Sequence, residues 1–234
     1  MGWPTAEEAE RAGLTLPQLR SVFWKAVMID MDEMNRLNSS LVDVFARGRR
    51  VRMTSKKGTD ITFSIADRRI LVDGGHFTPE MVAQGEIIKN LPCGEVYTTA
   101  HEESPEGVVV FDEVYLNGQR IVNLQLSFEA GRVVSSKAEE NHEAFVSLWQ
   151  SATGDYDRIG EFAIGTNPAV TQIIGDPLFD EKIYGSVHLA LGENRMYGGT
   201  NSSSIHWDFV VLEPTVTIDD ETVLSHGVFD SHLL

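Results

Sequence analysis

Ser204-Ile205-His206-Trp207-Asp208-Phe209-Val210-Val211 reads as a β-strand, because Ile205, Trp207, Phe209 and Val211 alternate with the residues between them. Side chains on a strand alternate between faces, so His206 and Asp208 project from one face together. An imidazole and a carboxylate held two residues apart on a rigid strand form half of a divalent-cation site. A solvated strand face carrying an incidental His–Asp pair would read the same way. Three further residues with metal-ligating side chains, Glu95, Glu161 and His188, favour the cation reading.

Outward from that strand, the whole chain sets limits. Its 234 residues are 42% hydrophobic and 23% charged, enough to bury a core as one large domain or two small ones. Thirty-five acidic against 19 basic residues give a net charge of −16, which repels phosphate backbones and makes nucleic acid and anionic membrane poor partners. Most of those carboxylates are expected on the solvated surface, but a two-cation site would use several. The one cysteine, Cys93, excludes an intramolecular disulfide framework and is expected as a small, half-buried side chain beside a loop. No apolar run approaches the ~18 residues of a membrane span. The opening Met-Gly-Trp-Pro-Thr-Ala lacks the basic and apolar regions of a signal peptide, so a cytoplasmic location is expected.

The elements follow from caps and periods. Thr5 with Glu8, and Thr15 with Gln18, have capping-box spacing and start two helices. The second helical signal runs from Leu19 towards Ala46, with a break expected near Asn38-Ser39-Ser40. From Val51 the period changes to two, with Gly58 at a turn between strands. Asn117-Gly118 marks a tight hairpin, Lys137 to Gln150 is helix-like, and Ile159 to Ile164 is a short element of open type. Gly185 to Leu191 is a strand with His188 and Ala190 on one face. The expectation is a single α+β domain over 1–234, an antiparallel-rich mixed sheet with N-terminal and central helices.

Glu95 follows a Pro/Gly turn in Leu91-Pro-Cys-Gly-Glu, Glu161 follows Gly160, and His188 lies in Gly185-Ser-Val-His. With His206 and Asp208 they make two histidines and three carboxylates, a donor set suited to two cations sharing one carboxylate. Each alone also fits a turn, a cap or an ordinary core histidine.

Gly94-Glu95-Val96-Tyr97-Thr98, Gly160-Glu161-Phe162, Asp180-Glu181-Lys182-Ile183, His188-Leu189-Ala190-Leu191-Gly192 and Ser203-Ser204-Ile205-His206-Trp207-Asp208 resemble, in that order, motifs of the aminopeptidase T/aminopeptidase S metallopeptidase family. Gly58-Thr59-Asp60, Gly165 to Pro168, Gly198-Gly199 and Trp3 to Ala6 extend the resemblance over nearly the whole chain. It covers the C-terminal, metal-binding part of that family; an N-terminal α/β domain of full-length members has no counterpart here. The resemblance implies Glu95, Glu161, His188, His206 and Asp208 as metal ligands, with Glu161 bridging two zinc or cobalt ions (manganese as a further option). It also implies peptide substrates and removal of their N-terminal residues. Tyr197 and Glu95 would then serve the proton transfers and the oxyanion.

The family's tyrosine lies seven residues after the first histidine, where this chain has Arg195; Tyr197 follows nine after His188. Either the loop shifts and keeps the phenol in place, or Arg195 stands beside the metal and binds an anion. Glu181 is expected either to orient a ligand histidine or to sit in a surface salt bridge. Two other functions stay open at this level. One is a mononuclear non-haem iron enzyme built on His188, His206 and Asp208, since ring-cleaving dihydroxypyridine dioxygenases resemble distant relatives of the family. The other is a non-catalytic, partner-dependent metal-binding subunit. A chain that matches half of a two-domain family is expected to self-associate, as a homodimer.

Overall fold

Both threonine caps form as the sequence predicts. Thr5 and Thr15 accept from the third backbone N–H of their helices, and Glu8 and Gln18 reach back to the capping N–H groups at 2.7 and 2.8 Å. These boxes open α1 (Ala6–Arg11) and α2 (Leu16–Val27) in a computed structural model that describes residues 2–83, 85, 87 and 89–234. The expected break at Asn38-Ser39-Ser40 is not where the helix stops. The chain breaks before it, at Asp30, whose carboxylate accepts from the N–H groups of Asp32 and Glu33 and caps α3 (Met31–Arg47). The three polar residues stay helical because their side chains find partners along α3. Asn38 Nδ2 donates to Asn35 Oδ1, and the Ser39 and Ser40 hydroxyls donate to carbonyls four residues back.

The remaining elements are β1 (Arg50–Thr54), β2 (Asp60–Ser64), β3 (Leu71–Asp73), α4 (Pro79–Ala83), β4 (Glu95–Thr98), β5 (Glu106–Leu116), β6 (Gln119–Glu129), β7 (Arg132–Lys137), α5 (His142–Trp149), β8 (Ile159–Gly165), α6 (Pro177–Asp180), β9 (Val187–Gly192), β10 (His206–Val211), β11 (Thr215–Ile218), β12 (Glu221–Ser225) and β13 (Val228–Phe229). The α+β class is borne out, with the strands divided between two sheets. An eight-stranded sheet runs β13-β12-β11-β1-β2-β5-β6-β7 and a five-stranded sheet runs β10-β9-β8-β4-β3. The pairings of named strands are antiparallel throughout. Asn117 and Gly118 turn β5 into β6 with positive φ at both positions, as a tight hairpin requires. The helix expected from Lys137 begins only at His142, because Lys137 still pairs with Gln125 across β6 and Asn141 takes a left-handed turn first. The open element at 159–164 is strand β8, buried along its whole length.

The core lies between the two sheets. Phe162 of β8 stacks on Phe45 of α3 at 5.3 Å and meets Phe63 of β2 edge-on, while Phe209 of β10 meets Phe111 of β5 at 5.2 Å. Val96, Ile164, Val187, Leu189, Leu191 and Val211 complete the inward face of the five-stranded sheet. A smaller cluster packs α1, α2 and α6 through Ala9, Leu19, Ala26 and Phe179 against Val210, on the sheet's other face. No helix among the described residues is long and apolar enough to cross a membrane.

A candidate metal centre on the outer face of the smaller sheet

Strand register decides which side chains meet. Asp73 lies opposite Glu95, Ala163 opposite Tyr97 and His188, Glu161 opposite Ala190, and Ala190 opposite Asp208. Directly opposed residues share a face, so Asp73, Glu95, Tyr97, Glu161, His188, His206 and Asp208 all project from the face turned away from the core. Ala163 and Ala190 between them carry only methyl groups, which leaves a hollow for the longer donors.

Glu161 reaches that face through a β-bulge. Ile159 pairs with Leu191 on the core face, and the register slips before Glu161 pairs with Ala190. Without the bulge, Ile159 and Glu161, two residues apart, would point the same way. Gly160 is the inserted position, and a Cβ there would stand 2.8 Å from the Gly192 carbonyl oxygen. Gly94 just before Glu95 has φ +127°, and a Cβ there would crowd Asn167 at 2.8 Å. Both glycines are thus required by the backbone next to a candidate ligand.

Glu161 offers its two oxygens to different histidines: Oε1 is 3.4 Å from His188 Nε2 and Oε2 is 3.3 Å from His206 Nε2. His188 Nε2 also lies 3.7 Å from Glu95 Oε2, and His206 Nε2 lies 3.4 Å from Asp208 Oδ1. Donor atoms gather within 4.8 Å in three groups: Glu95–Glu161–His188, Glu161–His206–Asp208 and Glu181–His188–Asp208. His206 Nδ1 donates to the Glu193 carbonyl at 2.7 Å, which turns Nε2 towards the carboxylates as the nitrogen that a metal would take once its proton is released. Glu95 Oε2 and Asp208 Oδ1 are buried and accept no hydrogen bond. Buried oxygens of that kind call for a cation, and the donor set fits divalent metal.

The charges are strongly coupled. Burial pushes the Glu95 carboxyl up to about 8 against the pull of Lys182. Burial would also raise Glu161, but its bonds to His188 and His206 outweigh it and hold the carboxyl below its ordinary value. Burial opposes the charged imidazoles, yet Glu161 with Glu95 lifts His188 to about 9, and Asp208 with Glu161 lifts His206 to about 11.

All five predicted ligands are brought together here. Tyr197 joins them: its ring lies 5.4 Å from those of His206 and Tyr97, and burial, then Glu161 and Asp208, raise its phenol well above the ordinary value. Arg195 instead sits exposed on a 3-10 turn, its guanidinium on Glu193 at 2.7 Å, so the loop shift is the arrangement observed. Arg68 and Glu102 pair with each other and hold this loop, Arg68 donating to the Gly198 carbonyl and Glu102 accepting from Thr200 N–H. Glu181 is buried rather than on the surface and pairs with Lys182. Cys93 is fully rather than half buried; burial and then Asp73 push its thiol up to about 11, which leaves it inert.

Four residues of the site go unassigned by sequence reasoning: Asp73, Tyr97, Lys182 and Glu193. Tyr97 carried a signal, since it lies two residues from Glu95 on one strand. The other three depend on strand pairing, a turn and a backbone carbonyl that no local pattern announces.

Histidines and acids gathered on one sheet face, with buried oxygens left for a cation, make a candidate metal site of the histidine–carboxylate class. A family model described as thermophilic metalloprotease (M29) matches residues 24–227, and the chain belongs to that family. Aminopeptidase T of Thermus aquaticus is 32% identical over 181 residues, covering 69% of this chain and 43% of the relative. Aminopeptidase AmpS of Bacillus subtilis is 27% identical over 186 residues, covering 71% and 44%. The chain thus spans less than half the length of these curated relatives. In fold it resembles wild-type AmpT from Thermus thermophilus, with TM-score 0.72, 23% identity, and 92% of this chain and 58% of that one covered. It resembles 2,5-dihydroxypyridine dioxygenase from Pseudomonas putida KT2440 equally, with TM-score 0.72, 17% identity, and 91% and 63% covered. At these identities the structural likeness speaks to fold alone.

Proposed function

We propose that residues 1–234 form the metal-bearing unit of an aminopeptidase that removes N-terminal residues from peptides at a pair of divalent cations bridged by Glu161. The observation that carries this reading is the split of the Glu161 carboxylate, one oxygen to His188 and one to His206, with each histidine in its own ligand group. Charge supports it too. Asp73, Glu95, Glu161, Glu181 and Asp208 are five buried or largely buried carboxylates facing one ammonium, Lys182. Two dications balance them with both histidines neutral, whereas one leaves two negative charges in a low-dielectric interior. A one-iron site on His188, His206 and Asp208 needs both histidines in a single group, and no group among the described residues has both.

In this reading Glu95, Glu161 and His188 hold one cation and Glu161, His206 and Asp208 the other. Mixed nitrogen and oxygen donors suit zinc, cobalt or manganese. Bound cations supply Lewis acidity and a water of lowered pKa. Tyr197, kept protonated by its surroundings, donates a hydrogen bond to the oxygen that gains charge on the peptide carbonyl. Glu95 Oε2, on the His188 side, would help to hold one of the ions. A hollow of about 530 Å³ beside Tyr97 and Tyr197, lined by Ile70, Leu71, Met81 and Met196 among others, receives substrate side chains.

Elemental analysis of zinc- or cobalt-reconstituted protein, paired with assays on short peptides bearing free or acetylated N-termini, tests the proposal. Two ions per chain and cleavage only of free N-termini are expected. One ion whose retention ignores Glu161→Ala would overturn the bridged centre. Two ions without cleavage would leave a metal-binding subunit that lacks the chemistry.

A further inference from the structure

Lys182 is fully buried, on the turn that follows α6 and Glu181. Its ammonium lies 2.6 Å from Glu95 Oε1, 2.7 Å from Glu181 Oε1 and 3.4 Å from Asp73 Oδ2. A lysine stem is long enough to carry its head to water, and an ammonium without partners would do so. This one stays inside because three carboxylates surround it.

The contacts bear directly on the ligands. Lys182 occupies Glu95 Oε1, so Glu95 has only Oε2, on the His188 side, to offer a cation. It also occupies Glu181 Oε1, although Glu181 stands with His188 and Asp208 in a third group of ligating geometry. That group shares His188 and Asp208 with the other two. A cation there would compete for both.

We propose that Lys182 is a positioning residue that sets the capacity of the centre: it leaves Glu95 and Glu181 one oxygen each and supplies the charge that a further cation would bring, so that two cation sites form and a third does not. The proposal rests on the two-cation reading above. It adds that a fixed ammonium, rather than another metal ion, neutralises the inner rim of the acid cluster. Removing that charge leaves five carboxylates facing two dications, with one negative charge uncompensated. Removing the Glu181 charge as well restores the balance.

The test is cobalt titration of the full chain, read by elemental analysis and by the visible cobalt spectrum, with folding checked by far-ultraviolet circular dichroism. The parent is expected to take two ions. Lys182→Met is expected to take a third, or to shift the spectrum as Glu95 becomes free to bind through both oxygens. Lys182→Met/Glu181→Gln is expected to return to two ions and to the parent spectrum, a rescue that simple loss of packing would not give. Should Lys182→Met fail to fold, Glu181→Gln alone decides. It frees Lys182 to neutralise Glu95, and cobalt affinity on that side should fall by about 10- to 100-fold. Two ions and an unchanged spectrum in folded Lys182→Met, failed rescue in the folded double variant, or unchanged affinity in Glu181→Gln would each overturn the proposal. A parent that takes fewer than two ions would instead remove the two-cation reading on which it rests.

Discussion

The two faces of the five-stranded sheet are made by the same strands and share almost nothing chemically. Val96, Phe162, Leu189 and Phe209 point inward and pack against the larger sheet. Their immediate neighbours Glu95, Glu161, His188 and Asp208 point outward and assemble acids and imidazoles at 3.3–3.7 Å. One face gains from burial because it is apolar. The other is buried at a cost that only cations or protons offset. Stability and chemistry are therefore separated by one step along the chain, which explains how so acidic a cluster is tolerated. The apolar face holds the strands in register whatever the outer face costs.

Crossing the two faces by mutation tests the separation. Glu161→Ala should have the largest effect, with metal content falling from two ions towards none because both ligand groups lose their shared member. Unfolding of the metal-free variant by denaturant should show a smaller loss of stability than a core substitution gives, since His188 and His206 lose the carboxylate whose ionised form they favour. Retention of one tightly held ion would break the shared-ligand reading. Phe162→Ala, the very next residue, should do the reverse, costing ~3–5 kcal/mol in denaturant unfolding while folded protein keeps its full metal content. Tyr197→Phe should lower kcat on a cleaved peptide by about 10²- to 10⁴-fold with metal content intact, a split visible by running both measurements on one sample.

Acidification sharpens the comparison further. His188 and His206 must release protons to bind cations, and their carboxylate neighbours, prevailing over burial, hold those protons up to about 9 and about 11 in the metal-free chain. Apparent cobalt affinity should therefore fall as pH drops below about 11 and more steeply below about 9, measured by titration at each pH. For stability of the metal-free chain the sign is opposite. Raised imidazole values contribute stability below the unfolded value and lose it as pH rises through the folded ones, so metal removal should be felt most in alkaline buffer. Arg195→Ala should do least, leaving metal content unchanged, because among the described residues its exposed guanidinium pairs with Glu193 alone.

Much of this was legible in the chain. The period-two pattern at Ile205 to Val211 placed His206 and Asp208 on one face, capping boxes placed two helices, and Asn117-Gly118 placed a hairpin. All five predicted ligands converge. The misreadings share a cause: local composition was overruled by partners elsewhere. Asn38-Ser39-Ser40 looks like a break, but its side chains bond along α3 and to Thr166 Oγ1 on the smaller sheet's side. Lys137 looks helical, but an edge position beside β6 claims it. Lys182 in a family-like motif carries no local sign that it lies beneath the acids, because its three partners come from β3, β4 and its own turn.

The bulge at Gly160 has a broader meaning. Alternation along a strand behaves like a two-letter script, and one inserted residue is a frameshift: every letter after it is read from the other side. Downstream of Gly160 the shift sends Glu161 and Ala163 outward and Phe162 and Ile164 inward. Regular pairing through that glycine, with no bulge, would exchange the two sets without altering a residue, drawing a carboxylate into the apolar interior and aromatic carbon onto the donors. The chemistry of this face is thus encoded in a count of residues as much as in their identities, and the bulge is what keeps that count in phase with the partner strand.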